Sequence, residues 1–498
     1  MIATARTFTL LGVDAHPVGV EVDVRRGLQS FALVGLPDAA VRESRERVRA
    51  ALSNSGFEFP KDRITASLAP ADLRKGGPGL DLAIAAALLG SSGQLPEGAL
   101  DGVAFTGELA LDGSIRPVPG ALAMAEAARR EGLTALAVPE ANGPEAALAR
   151  GPRIVPLTHL RELGLLGGEE EPGPPAPLAL EPNVNPGGLD IADLRGQAPL
   201  RRALEIAAAG GHNILIVGPP GAGKSMAARR LPSLLPVLSD AEAVEVLRIA
   251  SACGRTVDGH TSRRRPFRAP HHTISAAGLV GGGTPPRAGE VTLAHRGVLF
   301  LDELAEFSRD ALEALREPLE SGSIAIVRAG HAVELPCRFM LVAAANPCPC
   351  GSGPESAECY CSAAQVRRYE SRLSGALADR IDILVRVARP VAAEIGADEG
   401  ERSATVRERV LDARARQHAR LGEWRCNAEM SGRETRGARL DAEAKELLET
   451  GYERLRLSGR GYDRAIRLAR TIADLDGSPD VGPEHVGEAL SLRRRAEG

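Results

Sequence analysis

The residues Gly218-Pro219-Pro220-Gly221-Ala222-Gly223-Lys224-Ser225 complete a G-x-x-x-x-G-K-[ST] loop, a pattern suited to phosphate chemistry. Glycines at these spacings let successive backbone N–H groups converge on one anion. Lys224 can reach the β- and γ-phosphates, and the Ser225 hydroxyl can ligate Mg²⁺. A second constellation supplies what the loop lacks: Gly297-Val298-Leu299-Phe300-Leu301 is an apolar run ending in Asp302 and Glu303. Asp302 is suited to hold Mg²⁺ and Glu303 to orient or deprotonate an attacking water, because phosphoryl transfer asks a protein mainly for positioning and charge stabilisation. Two acidic residues opening the next helix, residues 304–313, are the plain alternative. The third run, Phe339 to Ala345, is tipped by Asn346, which can orient the same water, although Asn346-Pro347 is also an ordinary turn opener. Together these residues point to binding and hydrolysis of ATP with Mg²⁺.

Cys348-Pro349-Cys350 and Cys359-Tyr360-Cys361 form a C-x-C-x8-C-x-C set. Four thiolates in two close pairs suit a structural, tetrahedral Zn²⁺; free thiols or a redox pair are the alternatives. Cys253, Cys337 and Cys426 are isolated and read as packing residues. His271 and His272 have no carboxylate or cysteine at ligand spacing, and read as serving the fold or a nucleic-acid surface. Arg263-Arg264-Arg265 is a short basic run, read equally as a DNA contact or a solvated loop.

These groups need elements to hold them. Ile214 to Val217 is a β-branched run before the phosphate loop, and Met226 to Leu231 continues a helix as far as Pro232. Upstream, strand-like runs (Phe31–Val34, Ile64–Leu68) alternate with helical ones (40–52, 80–89, 120–131), as in a compact α+β or α/β domain. Residues between 167 and 188 are rich in Gly, Pro and Glu and read as a linker. Beyond Val391 the pattern is helical.

The 498 residues predict about three domains. With 61 Lys and Arg against 65 Asp and Glu the net charge is -4, which excludes a uniformly basic coat for nucleic acid and confines any such contact to local sites. One Trp and four Tyr argue against extensive stacking of bases on aromatic platforms. The start of the chain has no signal-peptide pattern and no run reaches the length of a membrane span, so a cytoplasmic, membrane-free protein is expected.

In order, the phosphate loop, the Asp-Glu strand and the Asn-tipped strand resemble the AAA+ ATPases, whose nucleotides sit between neighbouring subunits of a ring. Within Ser374 to Asp382, Arg380 matches the finger that some AAA+ subfamilies extend to the neighbour's γ-phosphate. Within Ser458 to Arg467, Arg460 best matches the second sensor arginine of the helical lid; Arg464 and Arg467 lie close by, and a surface ion pair is the alternative. More diagnostic spans are Arg268-Ala269-Pro270-His271-His272-Thr273, Gly281-Gly282-Gly283 and Gly289 to Gly297. With Asp193 to Gln197, Arg202 to Asn213 and Ala469 to Leu475, they closely resemble the magnesium-chelatase-like ATPases of the YifB/ComM family over essentially the whole chain.

The resemblance implies a homo-hexameric, DNA-stimulated motor, and for the competence branch a helicase driving branch migration in natural transformation. Residues 323–335 read as two β-runs around an Arg328-Ala329-Gly330-His331 tip and look like the hairpin that related ring helicases point into the pore. Arg328 there can grip phosphate, with an ordinary solvent hairpin as the alternative. At the N-terminus, Val34 to Pro37, Ala69 to Pro78 and Thr106 to Gly113 look like the ribosomal-S5-like fold that Lon-type proteases share. Gly79 and Met124 stand where the protease serine and lysine would be, leaving no activated nucleophile.

The expected architecture is thus an α/β multi-domain chain. It has an S5-like, inactive Lon-type α+β domain (1–166), a linker (167–188), an AAA+ P-loop α/β core with the four-cysteine loop at 348–361 (189–390), and a C-terminal helical lid (391–498). Two rivals to the DNA motor are a chelatase-type motor remodelling a protein partner and, disfavoured by Gly79 and Met124, an ATP-dependent protease.

Overall fold

The structure, a computed structural model, describes residues 2–176, 178–180, 188–255, 257, 263–283, 286–328, 331–373, 377–391, 396, 400–422 and 425–493. Two large sheets organise it. The first has seven strands in the order Ser30–Val34, Arg63–Ala69, Asp14–Arg25, Ile2–Leu11, Val103–Phe105, Ala135–Pro139, Arg153–Leu157. Its long opening hairpin pairs Ile2 with Asp23 and Leu11 with Asp14. Alternation along the strands covers both faces. Ala135 and Ala137 join the cluster of helices Ala39–Asn54 and Asp81–Ser91, whereas Leu136 and Val138 join that of helix Ala121–Arg130. Met124 is buried in the latter cluster, 4% exposed, as an apolar packing residue.

The second sheet is wholly parallel, ordered Phe267–Arg268, Val298–Leu301, Met340–Ala345, Ile214–Val217, Ile383–Arg386. Parallel strands covered on both faces must be apolar along their length, and every residue of Ile214–Val217, Val298–Leu301 and Met340–Ala345 is buried. Ile214, Ile216, Val342 and Ile383 pack with helices Ala198–Gly210, Ser403–Leu421 and Gly459–Leu475. Leu215, Leu299, Leu341 and Ala343 pack on the other side with Leu279, Val291 and the hairpin Ser323–Arg328/His331–Pro336.

A buried polar seam joins the foot of this sheet to the C-terminal helices. His212 Nε2 lies 2.8 Å from Thr471 Oγ1, and Asn427 Nδ2 donates to Thr471 Oγ1 (3.1 Å) and Asp474 Oδ2 (2.8 Å). Arg420 closes it with two bonds to the Asp474 carboxylate, 2.8 and 2.6 Å.

One alternative falls away and two local expectations are corrected. Glu303 does not open a helix: its backbone is left-handed (φ 51°), an N-cap requires extended backbone, and only a 3₁₀ turn, Leu304–Glu306, follows before Ser308 caps Arg309–Ala314. Arg265 is not on a solvated loop. Its guanidinium donates to Pro236 O and Arg296 O, both at 2.7 Å, and its burial holds its pKa down at about 10. Cys253 is exposed, while Cys337 and Cys426 are buried.

The two sheets meet where the turn of the opening hairpin seats on the hairpin at 323–336. Val13 is fully buried among Ile324, Val333 and Leu335, and Gly12 (φ 68°) lies where any Cβ would overlap Val333 Cγ1. Arg248 pairs with Asp14 (3.1 Å), and Gly120 N–H donates to Ser251 O (2.9 Å). Gly12→Ala combines a left-handed φ with a steric overlap, so we expect a loss of about 2 kcal/mol or more. Chemical denaturation should report it as a lower midpoint, and an unchanged midpoint would show that this seating is loose.

Candidate nucleotide site

The carboxyl ends of three adjacent parallel strands deliver the predicted groups to one place. Ile214–Val217 leads into the phosphate loop, Val298–Leu301 into Asp302 and Glu303, and Met340–Ala345 into Asn346. They line a cavity of about 400 Å³ with Pro220, Gly221, Ala222, Gly223, Lys224 and Ser225. Gly221 (φ 81°) and Gly223 (φ 84°) take the left-handed backbone that turns the loop, and Gly218 is packed so that a Cβ would lie 2.5 Å from Val387 O.

Within the cradle the side chains are already paired. Lys224 Nζ donates to Gly218 O (2.6 Å), Pro219 O (3.0 Å) and Asn346 Oδ1 (3.0 Å). Burial lowers the Lys224 pKa, and the Asp302 and Glu303 carboxylates oppose that shift. Ser225 Oγ donates to Asp302 Oδ2 at 2.6 Å, so a hydroxyl and a carboxylate share the position where a hard divalent cation would find oxygen ligands. The residues present therefore fit a triphosphate with Mg²⁺.

Sequence reasoning missed three participants. His272 Nδ1 lies 3.3 Å from Glu303 Oε2, its ring tilted by 35° against His271 (centroids 4.1 Å) and edge-on to Phe307. Ligand spacing along the chain could not reveal this, because the carboxylate arrives from the neighbouring strand. Arg389 Nε donates to Pro220 O (2.9 Å). The third is Asn213, at the opposite end of the sheet. Its side chain accepts from Leu341 N–H (2.8 Å) and donates to Arg380 O (2.9 Å), while its backbone N–H donates to Asp382 Oδ2 (3.1 Å).

Arg380 and Arg460 are not brought to the phosphate loop. Both guanidiniums bond to Glu320 Oε1, Arg460 at 3.3 Å. They line a separate cavity of about 710 Å³ that includes Asn213, Gly297 and Met340, at the amino ends of the strands. Arg380 is buried and Arg460 exposed. Among the described residues lining the phosphate-loop cavity, Lys224 is the one cation. The backbone of Arg328 ends its strand opposite His331; the tip residues Ala329 and Gly330, and the Arg328 side chain, lie outside the described residues.

The four cysteines converge beside the cradle. Their ligand atoms all lie within 4.8 Å of one another, and Cys348 Sγ is 3.3 Å from Cys350 Sγ and 3.8 Å from Cys359 Sγ. The Ser352 backbone N–H, and after it the Cys348 thiol, hold the Cys350 thiol down at about 6.

Three family profiles match in chain order. Subunit ChlI of Mg-chelatase covers residues 20–142, magnesium chelatase subunit ChlI covers 190–395, and magnesium chelatase subunit ChlI C-terminal covers 400–493. Uncharacterized protein YifB of Escherichia coli is 42% identical over 496 residues, spanning 99% of this chain and 97% of that protein. Competence protein ComM of Haemophilus influenzae is 43% identical over 495 residues, spanning 97% and 96%. The chain belongs to the YifB/ComM family of magnesium-chelatase-like AAA+ proteins. A shorter match, 30% over 156 residues, links 31% of this chain to 15% of DNA helicase MCM8 of Xenopus laevis. The YifB/ComM match also spans the four-cysteine segment and the N-terminal sheet. Among the described residues no helix is long and apolar enough to cross a membrane.

The His272 pair bears on Glu303 alone. For ATP turnover we expect His272→Ala to lower kcat about tenfold while KM for ATP stays within about twofold, the signature of an interaction that positions a reacting group without holding substrate. Steady-state kinetics at saturating Mg²⁺ would check this; an unchanged kcat would make the pair incidental.

Proposed function

We propose that this protein is a ring-forming ATPase whose turnover drives movement on DNA. The observation that carries the reading is the separation within one subunit of two halves of an ATP site, cradle at one end of the sheet and paired arginines at the other. In this reading the N–H groups of residues 218–225 and Lys224 hold the phosphates, Ser225 and Asp302 hold Mg²⁺, and Glu303 and Asn346 align a water. ATP supplies the phosphoryl group to be transferred. Arg380 and Arg460 leave Glu320 and stabilise charge at the site of the next subunit, since guanidinium groups near a transferring phosphoryl raise its rate of transfer by several orders of magnitude. A homo-hexamer, as the family resemblance implies, would repeat this contact around a closed ring.

The remaining assignments follow the same reading. Residues 1–166 form an S5-like domain without protease chemistry, residues 167–188 a linker, residues 189–390 the ATPase core and residues 391–498 a helical lid carrying Arg460. The hairpin at 323–336 faces the pore, and Arg328 grips the DNA backbone in each subunit. Support for DNA comes from the competence protein and the helicase among the relatives, and from a local contact being compatible with a chain of net charge -4. A role in branch migration or natural transformation rests on the relationship to the competence protein.

Completion in trans has a distinctive outcome. Lys224→Ala and Arg380→Ala should each abolish turnover, yet an equimolar mixture allowed to reassemble should regain roughly a quarter of wild-type ATPase, because random assortment leaves that share of interfaces intact. No recovery in mixed rings verified by native mass spectrometry would place both residues in one subunit's site.

The DNA half is tested by ATPase rate with and without single-stranded and branched DNA. Wild type should be stimulated, Glu303→Gln should be inert, and Arg328→Ala should keep the basal rate while losing stimulation and part of its salt-dependent DNA affinity. Robust hydrolysis indifferent to DNA would move the reading to a motor that remodels a protein partner.

A further inference from the structure

The four-cysteine segment begins two residues after Asn346 and ends two residues before helix Ala363–Leu373. A tetrathiolate zinc with Zn–S near 2.3 Å holds its sulfurs about 3.8 Å apart, and a soft, closed-shell ion of this kind suits thiolates where Mg²⁺ does not. Here the sulfur separations from Cys348 to Cys350, Cys350 to Cys359 and Cys348 to Cys359 are 3.3, 3.6 and 3.8 Å. A backbone donor already faces one sulfur, with Gly353 N–H 3.3 Å from Cys348 Sγ. Such an N–H···S bond orients a ligating sulfur.

What surrounds this cluster is more telling than the cluster. On its entry side, Gly351 (φ 90°) abuts the phosphate loop so closely that a Cβ would lie 3.0 Å from both Pro220 Cδ and Cγ. On its exit side, the helix carries buried Tyr369, whose phenol burial pushes up while the nearby Asn346 backbone N–H pulls it down, which places the hydroxyl beside Asn346. From the same helix Arg372 donates to Ala305 O at 3.3 Å, two residues beyond Glu303. The chain therefore leaves the nucleotide site at Asn346, passes through the four cysteines, and returns to Asn346 through Tyr369.

We propose that the four cysteines bind one Zn²⁺ and that this ion is the clasp of the circuit, fixing Asn346 and the Asp302–Glu303 turn for hydrolysis while contributing little to nucleotide affinity. Binding replaces four thiol protons by the ion, Zn²⁺ + 4 RSH → [Zn(SR)₄]²⁻ + 4 H⁺, with no change of oxidation state. Without the ion the thiols no longer hold the two ends of the segment together. The helix can then drift from Asn346, whereas the phosphate-loop N–H groups and Lys224 remain where the sheet places them. The proposal rests on the ATP-hydrolysis half of the reading above and not on its DNA half.

The test uses the full chain and no DNA. Zinc is counted by elemental mass spectrometry, removed with a mercurial thiol reagent and chelator, and restored with dithiothreitol and zinc sulfate; basal kcat and the Kd of a fluorescent ATP analogue are read at each stage. We expect one zinc per chain, and on removal a fall in kcat of about tenfold or more with Kd changed less than about threefold, reversed on restoration. Cys350→Ser/Cys361→Ser should purify without zinc and match the stripped protein. Tyr369→Phe should keep its zinc yet lose part of kcat, which a merely structural zinc would not produce. Should the cysteine variant fail to fold, reversible stripping of the wild type decides, with circular dichroism reporting that the fold persists. Wild type lacking zinc after restoration, or kcat unchanged when zinc is gone, overturns the proposal. If the wild type binds zinc but hydrolyses no ATP, the ATPase reading fails and the clasp fails with it, while the zinc count stands.

Discussion

At the foot of the parallel sheet one amide side chain holds three segments that the chain delivers from far apart. Asn213 accepts from Leu341 N–H and donates to Arg380 O, while its backbone bonds Asp382. Parallel strands gain no register from a tight turn, because their connections are long, so relative sliding must be prevented by contacts of this kind. Fixing Leu341 against Asn213 sets the height of Asn346 relative to the phosphate loop at the far end of the same two strands. Fixing Arg380 O sets the arginine face from the same atom group. One amide thus gives the phosphate-loop end and the arginine end of the sheet a common reference.

That arrangement explains where polar chemistry can exist in this molecule. Ile214–Val217, Val298–Leu301 and Met340–Ala345 are buried throughout, and an unpaired charge within them would be costly. Polar and charged groups are pushed to the strand ends: Lys224, Ser225, Asp302, Glu303 and Asn346 at one, Asn213, Arg380 and Asp382 at the other. The Ser225–Asp302 and Lys224–Asn346 bonds satisfy these groups among themselves, so none of them is left as bare charge.

Much of this was legible in the residues. The phosphate loop, the Asp-Glu and Asn-tipped strands and the paired hairpin runs carry their signal in local spacing and apolar pattern, and the long helices of the N-terminal region fall within a residue or two of their expected bounds. What escaped has a common cause: it depends on partners distant in sequence. His272 faces Glu303 only because Phe267–Arg268 lies beside Val298–Leu301 in the sheet. Arg265 looked like surface because three consecutive arginines lack apolar pattern, yet its guanidinium is enclosed by Pro236 and Arg296 carbonyls. The break after Glu303 follows from a left-handed backbone that composition does not announce.

The seating of the first hairpin's turn on Val333 ties two positions far apart in the sequence to one small volume. Gly12 leaves that volume to the valine methyl, and Leu335 closes it from beside. Residue 12 cannot gain bulk while residue 333 keeps its branch. Over many generations, sequences of this kind should therefore keep residue 12 bare wherever residue 333 is branched, and permit a side chain at 12 only in lineages where the hairpin has first become slimmer.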